Sequence, residues 1–484
     1  MNVLFITSLC DAQSPHKPLQ NPDVIQFGIS YISSYLKSQG HATKLLVLSR
    51  MSGRYNEIFI EQAVKEFSPK VVLFTAVATE YPFVASKASY IKNKYPNIFL
   101  VIGGVHASLN PGEVIRDSFD AVCVGEGEIP TGELVTQLEH GLMPSGIKNF
   151  WFKPAGAVEQ NPSRAFVDNL DILPFPDRDM WREWIDEQPD GKHSILLGRG
   201  CPFQCTYCCN HALKKLAPGA YVRFRSPENI LAEIKELKLK YPEKRDFFLE
   251  VETIGAKMDW ALELCRQLAN YNATLAEPLT FGVNLRVTPN VDYEILFRAF
   301  QKCNLTYLTI GLESGSERIR RDVLKRIYSN EDIIKAVATA RKFGLRVGFQ
   351  NMLGLPEETW DDFQETVKLN RQCQPDYLYL SIFYPYPGTD LFFLCKERGL
   401  MKGKVDPRME RNKAVLDLPY FSKPQIQNQH TWFEYNVYKG HRPAWKLYLK
   451  VLLSLLKSNY VLYFLYRRIQ FFPFFKQLKI RLTQ

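Results

Sequence analysis

The segment GRGCPFQCTYCCN, residues 198–210, decides how the rest of the chain is read. It follows an apolar run near Ser194 that reads as a strand, so Cys201, Cys205 and Cys208 fall in the loop that a βα unit carries at the carboxyl end of its strand. Their spacing is C-x3-C-x2-C. Three thiolates from one tight loop can hold three irons of a [4Fe–4S] cluster and leave the fourth iron without a protein ligand. Structural zinc is the competing reading; it wants four protein ligands and would enlist Cys209 or His211. Adjacent ligands such as Cys208 and Cys209 are awkward for one ion, which favours the cluster and leaves Cys209 as a packed thiol.

Downstream, strand and helix alternate six times. Strands are expected near Ser194, Asp246, Thr280, Tyr307, Arg346 and Tyr377, and helices near Pro227, Asp259, Val291, Glu331, Thr359 and Thr389. Six βα units suit a partial barrel over residues 194–400, open on one side, with its site at the carboxyl ends of the strands. Upstream, residues 1–140 alternate short apolar runs with amphipathic stretches. Five strands are expected at Asn2–Thr7, Ala42–Leu48, Lys70–Ala76, Ile98–Gly104 and Ala121–Glu126, with helices starting near Phe27, Asn56, Phe83, Pro111 and Glu128. That is an α/β, doubly wound unit of flavodoxin-like or Rossmann type, whose ligands sit beyond the carboxyl ends of its strands. Between the two, residues 141–193 carry Pro144, Pro154, Pro162, Pro174, Pro176 and Pro189 and read as a linker packed on both neighbours.

The chain has 484 residues, 46% hydrophobic and 23% charged, which suits two or three folded domains and excludes disordered, collagen-like and disulfide-scaffold classes. MNVLFITSLC at the start reads as a buried strand, with no basic segment before the apolar run and no small-residue cleavage site after it; a cytoplasmic location is expected. Net charge is +10, and the segment from Asn436 to the end holds ten Lys/Arg and no Asp or Glu, so the remainder balances at 51 against 51. A neutral body with a basic, aromatic tail points to a membrane surface or an acidic partner and away from nucleic acid. Lys457 and Arg467 bracket an uncharged run of nine residues, short of the ~20 that a spanning helix needs. Residues 401–484 are therefore expected to be mainly helical, as a docked helix, a lid over a hydrophobic substrate site, or a peripheral contact at the inner membrane face.

The cysteine segment, with Tyr207 just before its third cysteine, resembles the signature of the radical S-adenosylmethionine (SAM) superfamily. The resemblance implies that SAM chelates the open iron and that an electron from the cluster releases a 5′-deoxyadenosyl radical. An external donor of flavodoxin or ferredoxin type would supply that electron. Further segments are similar to the family in order along the chain. FLEVETIG brings Glu250 and Glu252 to the end of the second barrel strand, where either would accept from the SAM amino group; the pair departs from the Asp-Asp of close relatives. Asn284 and Arg286 end the third strand, and a guanidinium suits the SAM carboxylate. GLESGSERIRRDVLKR places Glu313 and Ser314 at SAM and Lys325 nearby, while NMLGLPEET, with Gly354, and YPYPGTD shape the adenine pocket.

The first domain carries VIGGVHASLNPGEVI and DAVCVGEGE. Strand-end glycines allow close approach of the backbone to a ligand. Upstream of such a barrel, the arrangement resembles the cobalamin-binding domain of the B12-dependent branch. By that resemblance Thr75, Thr79, Gly103, Gly104, Gly125 and Gly127 would border cobalamin. The Asp-x-His-x-x-Gly loop that supplies an axial imidazole in many B12 proteins is absent: Cys10, Asp11, Ser14, Pro15 and His16 lack its spacing. No protein histidine is expected on cobalt, and His106 is expected to be a neighbouring contact. The implied activity is a B12-dependent radical SAM methyltransferase acting at an unactivated carbon of a small, hydrophobic metabolite. The alternatives are cobalamin-dependent rearrangement or cyclisation without methyl transfer and, from another class, a non-catalytic Fe–S or zinc scaffold that binds a nucleotide.

Overall fold

The computed structural model describes residues 1–9, 25–50, 53–153, 156–186, 191–289, 291–402 and 410–458. Two expectations lie outside them, the loop from Cys10 to His16 and the tail beyond Ser458. The chain divides into two compact units. One comprises Met1–Phe203, Cys208–Lys244 and Pro387–Thr389; the other comprises Gln204–Tyr207, Arg245–Tyr386 and the chain from Asp390 onward.

In the first unit, β1 (Asn2–Leu9), β2 (Ala42–Ser49), β3 (Val71–Thr75), β4 (Phe99–Gly103) and β5 (Ala121–Cys123) pair in parallel in the order β2-β1-β3-β4-β5. This is the flavodoxin-like order. The central strands are continuous apolar runs because helices cover both faces. Leu4, Ile6, Val72, Phe74, Leu100 and Ile102 form one core with Ile60, Ala63, Val84, Ala88 and Ile91 of the helices Tyr55–Phe67 and Tyr81–Lys94. The linker adds what its sequence did not announce: β6 (Phe150–Phe152) and β7 (Glu159–Gln160) extend the sheet antiparallel beyond β5. The unit continues with β8 (His193–Leu196), β9 (Gly198–Arg199), β10 (Arg223–Phe224) and the helix Pro227–Lys240.

The second unit holds the remaining βα succession. Strands β11 (Asp246–Glu250), β12 (Thr280–Leu285), β13 (Leu305–Glu313), β14 (Arg346–Leu353) and β15 (Tyr377–Ile382) pair in parallel in chain order. Alternation assigns the faces. Phe281, Val283, Leu308, Ile310, Leu312, Val347 and Phe349 are buried, and residues of the other parity, such as Asn284 and Glu250, are less covered. Capping boxes start the helices Asn330–Lys342, Trp360–Cys373 and Lys423–Tyr438: Ser329 with Asp332, Thr359 with Asp362, Ser422 with Gln425. The helix Lys423–Tyr438 packs Ile426, Phe433 and Val437 with Phe363 and Phe421. In the helix Ala444–Ser458, Leu447 and Val451 are buried whereas Trp445, Tyr448, Leu452 and Leu455 are exposed. Among the described residues no helix is long and apolar enough to cross a membrane.

Candidate functional site

Five side chains of the second unit converge at the carboxyl ends of β12 and β13. Arg286 follows β12, and its Nη1 donates to Cys205 Sγ at 2.8 Å. β13 ends on Glu313 at a register shift against β14, with φ +64°, a left-handed backbone that a non-glycine residue adopts only when its surroundings hold it there. Glu313 Oε1 accepts from Tyr207 Oη at 3.1 Å and from Arg326 Nη1 at 3.4 Å. Arg326 also donates to Tyr207 Oη at 2.8 Å, to Gly311 O at 2.6 Å and toward Cys205 Sγ at 3.9 Å, so this buried guanidinium ties the cysteine loop to the β13 turn. Burial first, and Glu313 after it, push the Tyr207 phenol well above its ordinary value, which keeps it a neutral donor.

The remaining barrel candidates separate. Glu250 closes β11 half-buried, and Glu252 lies exposed two residues on. Asn284 lies on β12 one position before its end. The Ser314 hydroxyl is fully buried, 3.4 Å from Thr366 Oγ1 and accepting from Ser316 N at 3.2 Å. These bonds brace the turn that presents Glu313. Gly354, at φ +76°, donates its N–H to Glu358 Oε2 at 2.6 Å. Lys325 is exposed in a left-handed backbone, and the adjacent Arg326 is the cation that turns inward.

Cys201 and Cys208 belong to the first unit. Asn210 Nδ2 donates toward Cys208 Sγ at 3.6 Å. The nine described cysteines form no disulfide, and among the described residues no three Cys, His, Asp or Glu side chains converge on a single ion. Thiolates of a cubane each bind their own iron and need no such convergence. The donor set fits a cluster: two guanidiniums face Cys205 Sγ and an amide faces Cys208 Sγ, N–H donors of the kind that hold cluster-ligating sulfurs in place.

At the carboxyl edge of the first sheet, Gly104 has φ +92° and ψ −179°, a region open essentially to glycine alone. A Cβ there would meet Thr75 Oγ1 at 2.8 Å and Ala76 O at 3.0 Å, so the missing side chain lets the β4 turn lie on the end of β3. Gly103 closes β4, paired with Thr75. Thr79 is buried, and its carbonyl accepts from Arg50 at 3.3 Å. Gly125, at φ +89°, donates to Ser108 Oγ at 3.0 Å. A Cβ on Gly127 would meet Ile32 Cδ1 at 2.8 Å, so its smallness also serves packing against Ile32. Thr7 Oγ1, Ser8 Oγ and His106 Nε2 are buried there without hydrogen-bond partners. Burial lowers the His106 imidazole to about 4, so it is neutral. Unsatisfied polar atoms beside a side-chain-free turn suit a polar ligand such as the nucleotide tail of cobalamin.

Residues 195–369 match the Radical SAM superfamily, and residues 21–135 match the B12 binding domain. An uncharacterized methyltransferase of Pyrococcus horikoshii is 28% identical over 404 residues, 82% of this chain and 84% of that protein. The anaerobic magnesium-protoporphyrin IX monomethyl ester cyclase of Rubrivivax gelatinosus is 25% identical over 375 residues, 75% of this chain and 65% of that protein. The cobalamin-dependent SAM radical enzyme OxsB, solved with aqua-cobalamin and SAM bound, superposes with a TM-score of 0.68 at 15% identity, over 94% of this chain and 71% of that one. That likeness shows the shared fold.

Proposed function

The chain belongs to the cobalamin-binding radical SAM enzymes, and on that footing we propose that it moves a methyl group from SAM, by way of cobalamin, to an unactivated carbon of a small molecule. When bound, the reduced cluster supplies the electron that cleaves SAM to the adenosyl radical, and cobalamin supplies the methyl carrier. Cys201, Cys205 and Cys208 would hold the cluster. Arg286 donates to Cys205 Sγ and has a guanidinium suited to the SAM carboxylate. Glu313, held by Tyr207 and Arg326, is ready as an acceptor, with Glu250 or Glu252 for the SAM ammonium and Asn284 beside Arg286's strand end. Gly354 and Ser314 shape the turns around them. In the first unit Thr75, Thr79, Gly103, Gly104 and Gly125 would border cobalamin.

The observation that carries this reading is the pairing of Arg286 and Arg326 with Cys205, in a chain that also carries strand-end glycines and orphaned polar groups suited to a nucleotide tail. A hydrophobic substrate is supported by the exposed Trp445, Tyr448, Leu452 and Leu455. An external flavodoxin- or ferredoxin-type protein would deliver the electron. The similarity to the anaerobic cyclase favours a second reading, ring formation without methyl transfer. The test is anaerobic reconstitution with iron, sulfide, cobalamin and methyl-labelled SAM, followed by mass spectrometry. 5′-Deoxyadenosine together with label on cobalamin supports methyl transfer. Deoxyadenosine without label on cobalamin supports cyclisation.

A further inference from the structure

Glu126 lies in the turn after β5, and Glu128 opens the helix Glu128–Glu139 that follows it. Both face arginines of the β9–β10 hairpin. Glu126 Oε1 accepts from Arg199 Nη1 at 3.0 Å, and its Oε2 accepts from Arg223 Nη1 at 3.0 Å and from Val167 N at 2.9 Å. Glu128 Oε1 accepts from Arg199 Nη2 at 2.5 Å. The four side chains are between 4% and 17% exposed, two of each sign. Such a buried set is a poor source of net stability but a strong fastener, because removing one member leaves another charged and unpaired out of water.

The two strands of the hairpin approach closely at their glycines. A Cβ on Gly198 would lie 2.4 Å from Arg223 O, and one on Gly200 would lie 2.1 Å from Tyr221 O. Arg199 pairs directly with Arg223 across the hairpin, and Cys201 is two residues past Arg199. Two residues before β10, Tyr221 Oη donates to Asn210 Oδ1 at 2.6 Å, and Asn210 Nδ2 donates toward Cys208 Sγ at 3.6 Å. One run of contacts therefore leads from Gly125–Glu128 to Cys201 through the backbone and to Cys208 through Tyr221 and Asn210.

We propose that Glu126 and Glu128 are positioning residues for the cysteine loop, making the surroundings of Cys201 and Cys208 depend on what lies against the turn after β5. The inference rests on reading the cysteines as cluster ligands and Gly125 as bordering cobalamin. Occupancy of that turn then biases the cluster, and by linkage the cluster biases the turn.

The test records the electron paramagnetic resonance spectrum and the reduction potential of the cluster, with and without cobalamin, in the full chain and in Glu126→Gln and Glu128→Gln. In the unaltered chain cobalamin is expected to change both. In Glu126→Gln the change is expected to vanish with iron and cobalt contents unaltered; in Glu128→Gln, which loses one arginine contact, it is expected to shrink. If Glu126→Gln does not fold, Arg199→Lys keeps the charge but not the fork between the two carboxylates, and is expected to lose the change in the same way. An unaltered chain that binds both groups and shows no cobalamin-dependent change overturns the coupling. A full response in the variants overturns its assignment to these glutamates. An unaltered chain that assembles no cluster or binds no cobalamin fails at the proposed function instead.

Discussion

Arg326 and Glu313 form an ion pair with side chains only 5% and 10% exposed, Nη1 to Oε1 at 3.4 Å, at the turn where β13 ends. The guanidinium also holds Tyr207, Gly311 and Cys205 together, so it serves as a hub for the site more than as half of a pair. Arg326→Gln leaves Glu313 buried without its cation, and losing one partner of a buried pair costs about 3–5 kcal/mol. Chemical unfolding should register that loss, with Arg326→Lys intermediate because an ammonium cannot reproduce the fork. SAM affinity should fall in both variants. Unfolding midpoints equal to the unaltered protein would mean that solvent reaches the pair.

Cys201, Cys205 and Cys208, changed singly to serine, should each lose the broad iron–sulfur absorbance and the capacity to cleave SAM. Cys209→Ala should keep both. The expectation follows from the spacing of the three cysteines and from the N–H donors that face Cys205 and Cys208. Iron content by chemical assay is the direct measure; a cluster lost only in the Cys209 variant would reverse the ligand assignment.

Gly104→Ala and Gly40→Ala separate a ligand-edge turn from a plain one. Both glycines have positive φ, +92° and +85°, but a Cβ on Gly104 meets Thr75 Oγ1 and Ala76 O, whereas one on Gly40 meets nothing within 4 Å. Gly40→Ala should cost only the left-handed conformation, about 1–2 kcal/mol, and leave cobalamin binding intact. Gly104→Ala should cost about 3 kcal/mol or more, because the steric displacement adds to a backbone region closed to alanine, and should abolish cobalamin binding. Thermal unfolding and bound cobalt would distinguish them.

The strands and helices that build the sheet edges were legible because each is a long periodic run: every strand expected in the barrel is present within a few residues of its expected start. β6 and β7 were not, since strands of three and two residues carry no periodicity and the prolines around them read as linker. Glu313, Arg286 and Tyr207 were singled out by resemblance, and the structure brings them together with Cys205. Arg326 was missed in favour of Lys325, because which of two adjacent cations turns inward is set by a left-handed backbone at Lys325 that spacing does not reveal. The Glu126–Arg199 contact joins residues 73 apart, and no local pattern encodes such a pairing.

Glu358 gives a pH dependence with a definite sign. Its Oε2 accepts from Gly354 N at 2.6 Å and Leu355 N at 3.1 Å, while Oε1 is buried without a partner. Burial outweighs the two backbone donors and pushes the carboxyl from 4.5 up to about 8. The folded value therefore lies above the unfolded one, so the unfolded chain releases this proton first. The group's contribution to stability is complete below the unfolded value and is lost as pH rises from about 4.5 through about 8, by at most about 1.4 kcal/mol per pH unit. Glu358→Gln keeps an acceptor for the Gly354 and Leu355 N–H groups and cannot ionise. The variant should therefore gain stability relative to the unaltered protein as pH rises across this interval, read as a widening gap in urea midpoints between about pH 5 and about pH 8. A gap that stays constant over that range would show the carboxylate already ionised in the folded protein, its Oε1 satisfied by a donor such as water.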